Sequence, residues 1–109
     1  MKIAKRKDRK ALPLENCHGG EGTLFCDSLL DNFASEKFTL MHSDLMPAGT
    51  SIGVHPHDGE EIYYLSDGKG ILTYDGTEYI MDVGDISLCK AGHSHGFKAT
   101  EDSILIVVG

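Results

Sequence analysis

Residues 49–68 read Gly-Thr-Ser-Ile-Gly-Val-His-Pro-His-Asp-Gly-Glu-Glu-Ile-Tyr-Tyr-Leu-Ser-Asp-Gly. His55 and His57 are two residues apart, so on a β-strand both imidazoles point to the same face. Glu61 follows after a turn-like Asp-Gly-Glu trio. If the chain reverses there, this carboxylate returns on a neighbouring strand and faces the two imidazoles. Two imidazoles and a carboxylate that converge in this way predict a transition-metal site.

A second segment offers a fourth donor. Residues 84–95 read Gly-Asp-Ile-Ser-Leu-Cys-Lys-Ala-Gly-His-Ser-His, which is a predicted strand between glycines, followed by His95. His93 shares the parity of His95 and is an outside candidate for the same ion.

Together the two segments resemble the motifs of the cupin family. The first cupin motif is Gly, five residues, His-x-His, three or four residues, Glu, six residues, Gly, and its positions are filled here by Gly49, His55, His57, Glu61 and Gly68. The second motif is matched by Gly84, Gly92 and His95, with Lys90 in place of the usual Pro and Ala99 in place of the usual Asn. These two departures concern the turn and the frame of the site, not its ligands.

The resemblance, which covers residues 38–108, implies a small single-domain cupin of the oxalate-decarboxylase-like type. Its implied fold is all-β, an antiparallel double-stranded β-helix (the jelly-roll cupin barrel). It implies one divalent transition metal per chain, with Mn or Fe as first choice and Ni, Co, Zn or Cu as alternatives. Its implied ligands are His55, His57, Glu61 and His95.

Length and charge set further bounds. A chain of 109 residues predicts one domain. We divide it into an N-terminal arm with the first strands, residues 1–37, which could form a dimer contact, and a barrel core, residues 38–109. Six of the ten Lys and Arg residues lie within residues 1–10 of a chain whose net charge is −7. A basic arm could bind nucleic acid, but the acidic body opposes this, so we expect no nucleic-acid partner.

Cysteine usage favours a reducing compartment. Cys17, Cys26 and Cys89 are odd in number and widely spaced, and the chain has neither a secretory segment nor a long apolar run. We therefore predict a cytoplasmic protein with reduced thiols and no membrane association. Cys89 precedes His95 and could be a pocket thiol, although a buried small side chain is the simpler interpretation.

Turn signals every eight to twelve residues predict a series of short strands. Asp75-Gly76 is a strong hairpin signal. Residues 1–16 are predicted as a mixed arm interrupted by Pro13, and residues 17–22 as a glycine-rich turn. Strands are predicted at 23–30, 38–46, 50–57, 61–65, 70–74, 77–81, 85–89, 95–99 and 103–108.

Alternation along these strands predicts which side chains face outward. If His55 and His57 face inward, Ile52 and Val54 face outward, as do Ile62 and Tyr64 on the next strand. Residues 104–108 are apolar on both faces. Exposed apolar faces are rarely left uncovered in monomers, so the N-terminal segment, a second subunit or a strand exchanged with that subunit should cover them. We expect a homodimer, which is also common among the small cupins that this chain resembles.

Other side chains have weaker patterns. Tyr63 shares the parity of Glu61 and could line a pocket with its hydroxyl, or simply pack. His42 could support the site or be exposed, and His18 has no ligand-like spacing. Glu60 is expected to be solvated, and Lys90 could meet an anion.

The preferred function is a small metalloenzyme, decarboxylase- or dioxygenase-like, acting on a carboxylate-bearing or enolisable small molecule. No proton donor can be named from the sequence. The alternative is a non-catalytic cupin module that binds or senses a small molecule. A sugar isomerase is a weaker third interpretation, because the body has few cations to hold a phosphate.

Overall fold

The structure is a computed structural model that describes residues 3–31 and 33–109. Within these residues the regular structure consists of strands and two short 3-10 turns, Arg6–Asp8 and Cys17–Gly19. The ten strands are β1 (Leu12–Glu15), β2 (Thr23–Ser28), β3 (Met41–Met46), β4 (Ser51–Pro56), β5 (Glu61–Asp67), β6 (Lys69–Tyr74), β7 (Thr77–Asp82), β8 (Ile86–Cys89), β9 (Ser94–Ala99) and β10 (Ser103–Val108).

Two antiparallel sheets form the single domain. One has the strand order β1-β2-β3-β10-β5-β8, and the other has the order β4-β9-β6-β7. The core between them consists of buried apolar side chains, namely Leu24, Met46, Ile52, Tyr63, Leu65, Leu72, Met81, Phe97, Ala99, Leu105 and Val107. The all-β jelly-roll prediction is confirmed.

All nine predicted strands are present, several of them with shifted ends. The hairpin at Asp75-Gly76 forms with both residues at positive φ, 47° and 82°, as a two-residue turn of this type requires. The strand predicted from residue 38 begins only at Met41. β1 was not predicted, because Pro13 interrupts its pattern; Pro13 is tolerated because β1 is the edge strand of its sheet. The division of the chain at residue 37 stays a prediction.

The prediction that Ile52 faces outward is wrong. Ile52 is opposite Phe97 and His55 is opposite His95, so β4 has one more residue than β9 between these pairs. This β-bulge shifts the alternation by one residue. Ile52 therefore lies in the core while His55 still faces inward, and Val54 is exposed, as predicted.

The Cys17–Gly19 turn runs along the free edge of β4. The backbone N–H of Ser51 donates to the carbonyl of Glu21 at 2.9 Å, and the Ser51 hydroxyl accepts from the Glu21 N–H at 2.8 Å. A Cβ on Gly53 would lie 2.1 Å from the His18 carbonyl oxygen. Only glycine permits this approach of two backbones.

The outer face of the six-stranded sheet is apolar. Phe25, Leu45, Tyr64, Ile86 and Leu88 are all exposed. Cross-strand pairing joins Phe25 to Leu45, and Tyr64 to Ile86, so these side chains share one face. The predicted outward orientation of Tyr64 is confirmed, and Ile62, paired with Leu88, lies on the same face. Among the described residues, no helix has the length and apolarity needed to cross a membrane.

Candidate metal centre

Four donor side chains meet at one end of the space between the sheets. His55 lies on β4, His57 directly after it, Glu61 at the start of β5 and His95 on β9. Each offers a ligand atom, and these four atoms lie within 4.8 Å of one another. We call this group the four-donor cluster. Glu61 and His95 are buried, and the other two are half-buried.

Three of these atoms form a compact triangle. Nε2 of His95 lies 2.8 Å from Nε2 of His57 and 3.1 Å from Oε1 of Glu61. Nε2 of His57 lies 3.2 Å from the same oxygen. An octahedral ion with ligands at about 2.1 Å separates neighbouring donor atoms by about 3.0 Å. The spacing of the triangle therefore fits a divalent transition-metal ion.

The orientation of His55 fits the same ion. Its Nδ1 lies 2.6 Å from the Gly53 carbonyl oxygen, so this nitrogen carries the proton and donates it. Nε2 is then left with its lone pair free to coordinate. Burial lowers the pKa of His55, which keeps the ring neutral.

Glu61 is held in its charged form. Burial alone would raise its pKa, but the hydrogen bond with His95 and the fields of His57 and His95 outweigh burial and lower it. A carboxylate that stays ionised beside three imidazoles supplies the negative charge that a divalent cation requires.

The cluster opens onto a cavity of about 230 Å³. His55 and Glu61 lie at the cluster end of this cavity. The rest of the lining is mostly apolar or soft and comprises Leu14, Cys17, His18, Cys26, Leu40, His42, Asp44, Ile52, Tyr63 and Val107. A mostly apolar pocket with a few convergent polar groups is typical of a small-molecule site.

His18 is a functional candidate that the sequence did not indicate. Its ring stacks on His55, with centroids 3.6 Å apart and an angle of 9° between the planes. The residue has φ 50° and ψ 37°, a left-handed conformation that the loop contacts with β4 sustain. No spacing rule links residues 18 and 55, because their proximity depends on how the N-terminal loop packs.

Tyr63 lies next to the four-donor cluster. It is two residues from Glu61 on β5 and therefore shares its face, as predicted. Its ring stacks on His95 at 4.0 Å and 9°, and its hydroxyl is buried with no partner among the described residues. Nδ1 of His95 is likewise buried and unpartnered there. Burial raises the pKa of Tyr63 well above its usual range, so the hydroxyl remains a hydrogen-bond donor to whatever enters the cavity.

The remaining candidates are distributed between the cavity and the surface. His42 lines the cavity and forms a hydrogen bond with Asp44. Of the two predicted alternatives, support of the site and simple exposure, this placement favours the first. His93 is bonded to Asp75 on the surface, outside the four-donor cluster. Lys90 is exposed, and its Nζ lies 3.7 Å from Oε2 of Glu60, which is also exposed. Cys89 is fully buried.

Comparison with known proteins gives the same fold. Residues 41–108 match the family model described as the cupin domain. The chain belongs to the cupin family. It is 33% identical over 94 residues to a curated cupin relative, the oxalate-binding protein of Thermotoga maritima, covering 84% of this chain and 78% of that protein.

Solved structures extend the comparison. A predicted oxalate decarboxylase from Thermotoga maritima superposes with a TM-score of 0.90 and 29% identity, covering 98% of this chain and 96% of that one. An RmlC-like cupin from Shewanella frigidimarina has a TM-score of 0.78 at 18% identity, covering 99% of this chain and 88% of that one. The second similarity concerns the fold alone.

Proposed function

We propose that this cupin binds one divalent transition-metal ion through His55, His57, Glu61 and His95, and uses it to bind a small carboxylate of the oxalate class. The observation that carries the proposal is the donor triangle, with sides of 2.8, 3.1 and 3.2 Å, at the end of a cavity. The oxalate-binding relative supports the ligand class.

The donor set supports Mn(II) or Fe(II) as the ion, with Ni, Co, Zn and Cu as alternatives. Four protein donors around an octahedral ion leave two positions for a ligand. Such an ion would supply Lewis acidity and a template for a carboxylate. A small dicarboxylate has two oxygens that match two neighbouring positions.

The chain's own groups would position and shield that ligand. The Gly53 carbonyl fixes the tautomer of His55, and His18 covers one face of that ring. Tyr63 has a hydroxyl that can donate a hydrogen bond to a ligand oxygen. Leu14, Ile52 and Val107 line the cavity and limit access of water.

The test uses untagged protein purified without chelator. Elemental mass spectrometry should find about one Mn or Fe per chain, and calorimetry should detect oxalate binding that chelation abolishes. His57→Ala should lose both, whereas His93→Ala, a change to an exposed histidine outside the cluster, should keep both. Stoichiometric metal retained in His57→Ala, or oxalate binding unchanged after chelation, would contradict the proposal.

Turnover is the second candidate function. Two open positions are what a catalytic ion needs, whereas a structural zinc site is closed. The solved relative described as a predicted oxalate decarboxylase points the same way. Metal-loaded protein incubated with oxalate should release carbon dioxide with formate if it is a decarboxylase, or consume dioxygen and release carbon dioxide with hydrogen peroxide if the reaction is dioxygen-dependent. Tight binding without either product would favour the non-catalytic binding module.

We also propose that the apolar outer face forms a homodimer. Ile86 is 65% exposed and Leu45 is 48% exposed on this face, an arrangement that monomers rarely leave uncovered. Light scattering at micromolar concentration should give about twice 11.8 kDa. Leu45→Lys should give the monomer mass, and Val54→Lys, on the other sheet, should not. A monomer mass for the unmodified chain would contradict this.

A further inference from the structure

A second group of metal-ligating side chains lies on the cavity wall. Cys26, His42 and Asp44 each offer a ligand atom, and these three atoms lie within 4.8 Å of one another. All three residues line the same cavity as His55 and Glu61. We call this group the thiol cluster.

The thiol cluster is built like the four-donor cluster. His42 and Asp44 are two residues apart on β3, and Cys26 is the cross-strand partner of Asp44 on β2. In the four-donor cluster, His55 and His57 are two residues apart, and His95 is the cross-strand partner of His55. In both places two positions spaced by two residues and one position on the neighbouring strand bring three donors together.

Burial and charge favour a cation at the thiol cluster. Asp44 is 1% exposed, and its Oδ1 lies 2.7 Å from Nδ1 of His42. A carboxylate this deeply buried is costly unless it is paired or coordinates a metal. Burial, then the nearby Asp44, raises the pKa of Cys26 to about 12, so without a cation Cys26 is a neutral thiol hydrogen-bonded to Asp44.

We propose that Cys26, His42 and Asp44 bind a second divalent ion of borderline softness, of the zinc class. One thiolate, one imidazole and one carboxylate suit Zn(II) or Co(II), and the remaining position faces the cavity. Binding displaces the Cys26 thiol proton to solvent, because the thiolate is the ligand. With one thiolate and one carboxylate, the loaded site is neutral, and it offsets the charge that Asp44 places on this wall.

Co(II) is the probe that separates the two sites. The four-donor cluster contains no sulfur, whereas the thiol cluster contains one, so only the latter can give a thiolate-to-cobalt charge-transfer band in the near ultraviolet. Untagged full-length protein, stripped with chelator and titrated with Co(II) under nitrogen, should bind two equivalents. One of these should develop the charge-transfer band.

Variants assign each equivalent to its cluster. Cys26→Ser should lose the band and one equivalent while it keeps the other. His57→Ala should lose one equivalent and keep the band, which makes the inference independent of the proposed function. Cys89→Ser is the control, because this buried cysteine is not among the residues that line the cavity, and it should keep both equivalents and the band.

Two results would overturn the proposal. One is a single equivalent without the band in folded unmodified protein. The other is a band that persists in Cys26→Ser and disappears in Cys17→Ser, which would move the sulfur ligand to the neighbouring thiol.

Cadmium-113 NMR of the unmodified protein is an independent measurement that needs no variant. It should show two signals, one of them shifted in the direction that a sulfur ligand causes, and signals from nitrogen and oxygen ligation alone would count against the site.

Discussion

The cavity has two walls that are held in different ways. The barrel wall, formed by β4, β5 and β9, carries the four-donor cluster, and its strands are held by backbone pairing, with one bulge between β4 and β9. The N-terminal wall, formed by β1, β2 and the Cys17–Gly19 turn, meets β4 through backbone contacts at Gly20 and Gly53. The barrel wall thus supplies the donors of the four-donor cluster, and the N-terminal wall supplies the shape and cover of that cluster.

Because the two walls are held differently, we expect metal affinity and the integrity of the cavity to be separable properties. Changes at the junction of the two walls should lower stability first, because they push backbone against backbone. Changes in the donors should lower metal affinity with little effect on folding. Four substitutions test this separation.

The largest expected effect is at the junction. In Gly53→Ala the new Cβ would lie 2.1 Å from the His18 carbonyl oxygen, so the N-terminal turn must move away. We expect a loss of about 3 kcal/mol in the free energy of unfolding, measured by urea denaturation of the metal-free protein. Gly59→Ala is the control, because nothing lies within 4 Å of its Cβ. Equal stability of the two variants would mean that the walls are not locked together there.

The next effect is on the barrel wall. Glu61→Gln keeps the shape of the side chain and removes the charge, so we expect metal affinity to fall by about 100-fold or more while the unfolding midpoint of the metal-free protein changes little. The matched control is Glu60→Gln, at the exposed neighbouring position. Competition with a chromogenic chelator measures the affinity. A loss of less than about threefold would remove Glu61 from the ligand set.

The same contrast explains what could be predicted from the sequence. His55, His57 and Glu61 lie within seven residues, and a strand period of two with one turn is enough to bring them together. His95 was found through its motif. The hairpin at Asp75-Gly76 and the outward face of Tyr64 also follow from local rules, and they are confirmed.

What was missed depends on contacts between distant parts of the chain. His18 reaches His55 only because β1 and β2 fold the turn onto β4, and no local signal specifies that packing. Ile52 was assigned to the wrong face because one bulge residue inverts the alternation, and the bulge is defined only by pairing with β9. Asp44 and Cys26 became neighbours through strand pairing between segments 18 residues apart.

A smaller effect is expected from the cover that the N-terminal wall gives to His55. His18→Asn keeps a residue that tolerates the left-handed conformation but removes the stacked ring. Such stacking contributes about 0.5–1.5 kcal/mol, so metal affinity should fall by about 3- to 10-fold. His18→Phe retains a flat ring and should recover most of the affinity. If both variants lose affinity equally, the ring has a role other than stacking, and the separation between donor wall and cover fails.

The smallest effect is expected from a histidine–carboxylate pair on the barrel that lies outside the cavity. Asp75 accepts from His93 and from the Ser94 N–H, and these bonds lower its pKa from the ordinary value of 3.8. Any stabilisation from its charge is therefore present above that value and disappears as the pH falls through the lower folded pKa.

Asp75→Asn retains the turn and the acceptor for the Ser94 N–H. Exposed ion pairs contribute little to stability. Metal affinity and stability at pH 7 should be unchanged, and acid unfolding should be slightly less steep below pH 4. If Asp75→Asn lowered metal affinity as much as is expected for Glu61→Gln, side chains outside the cavity would also hold the ion. The division of the cavity into a donor wall and a covering wall would then be wrong.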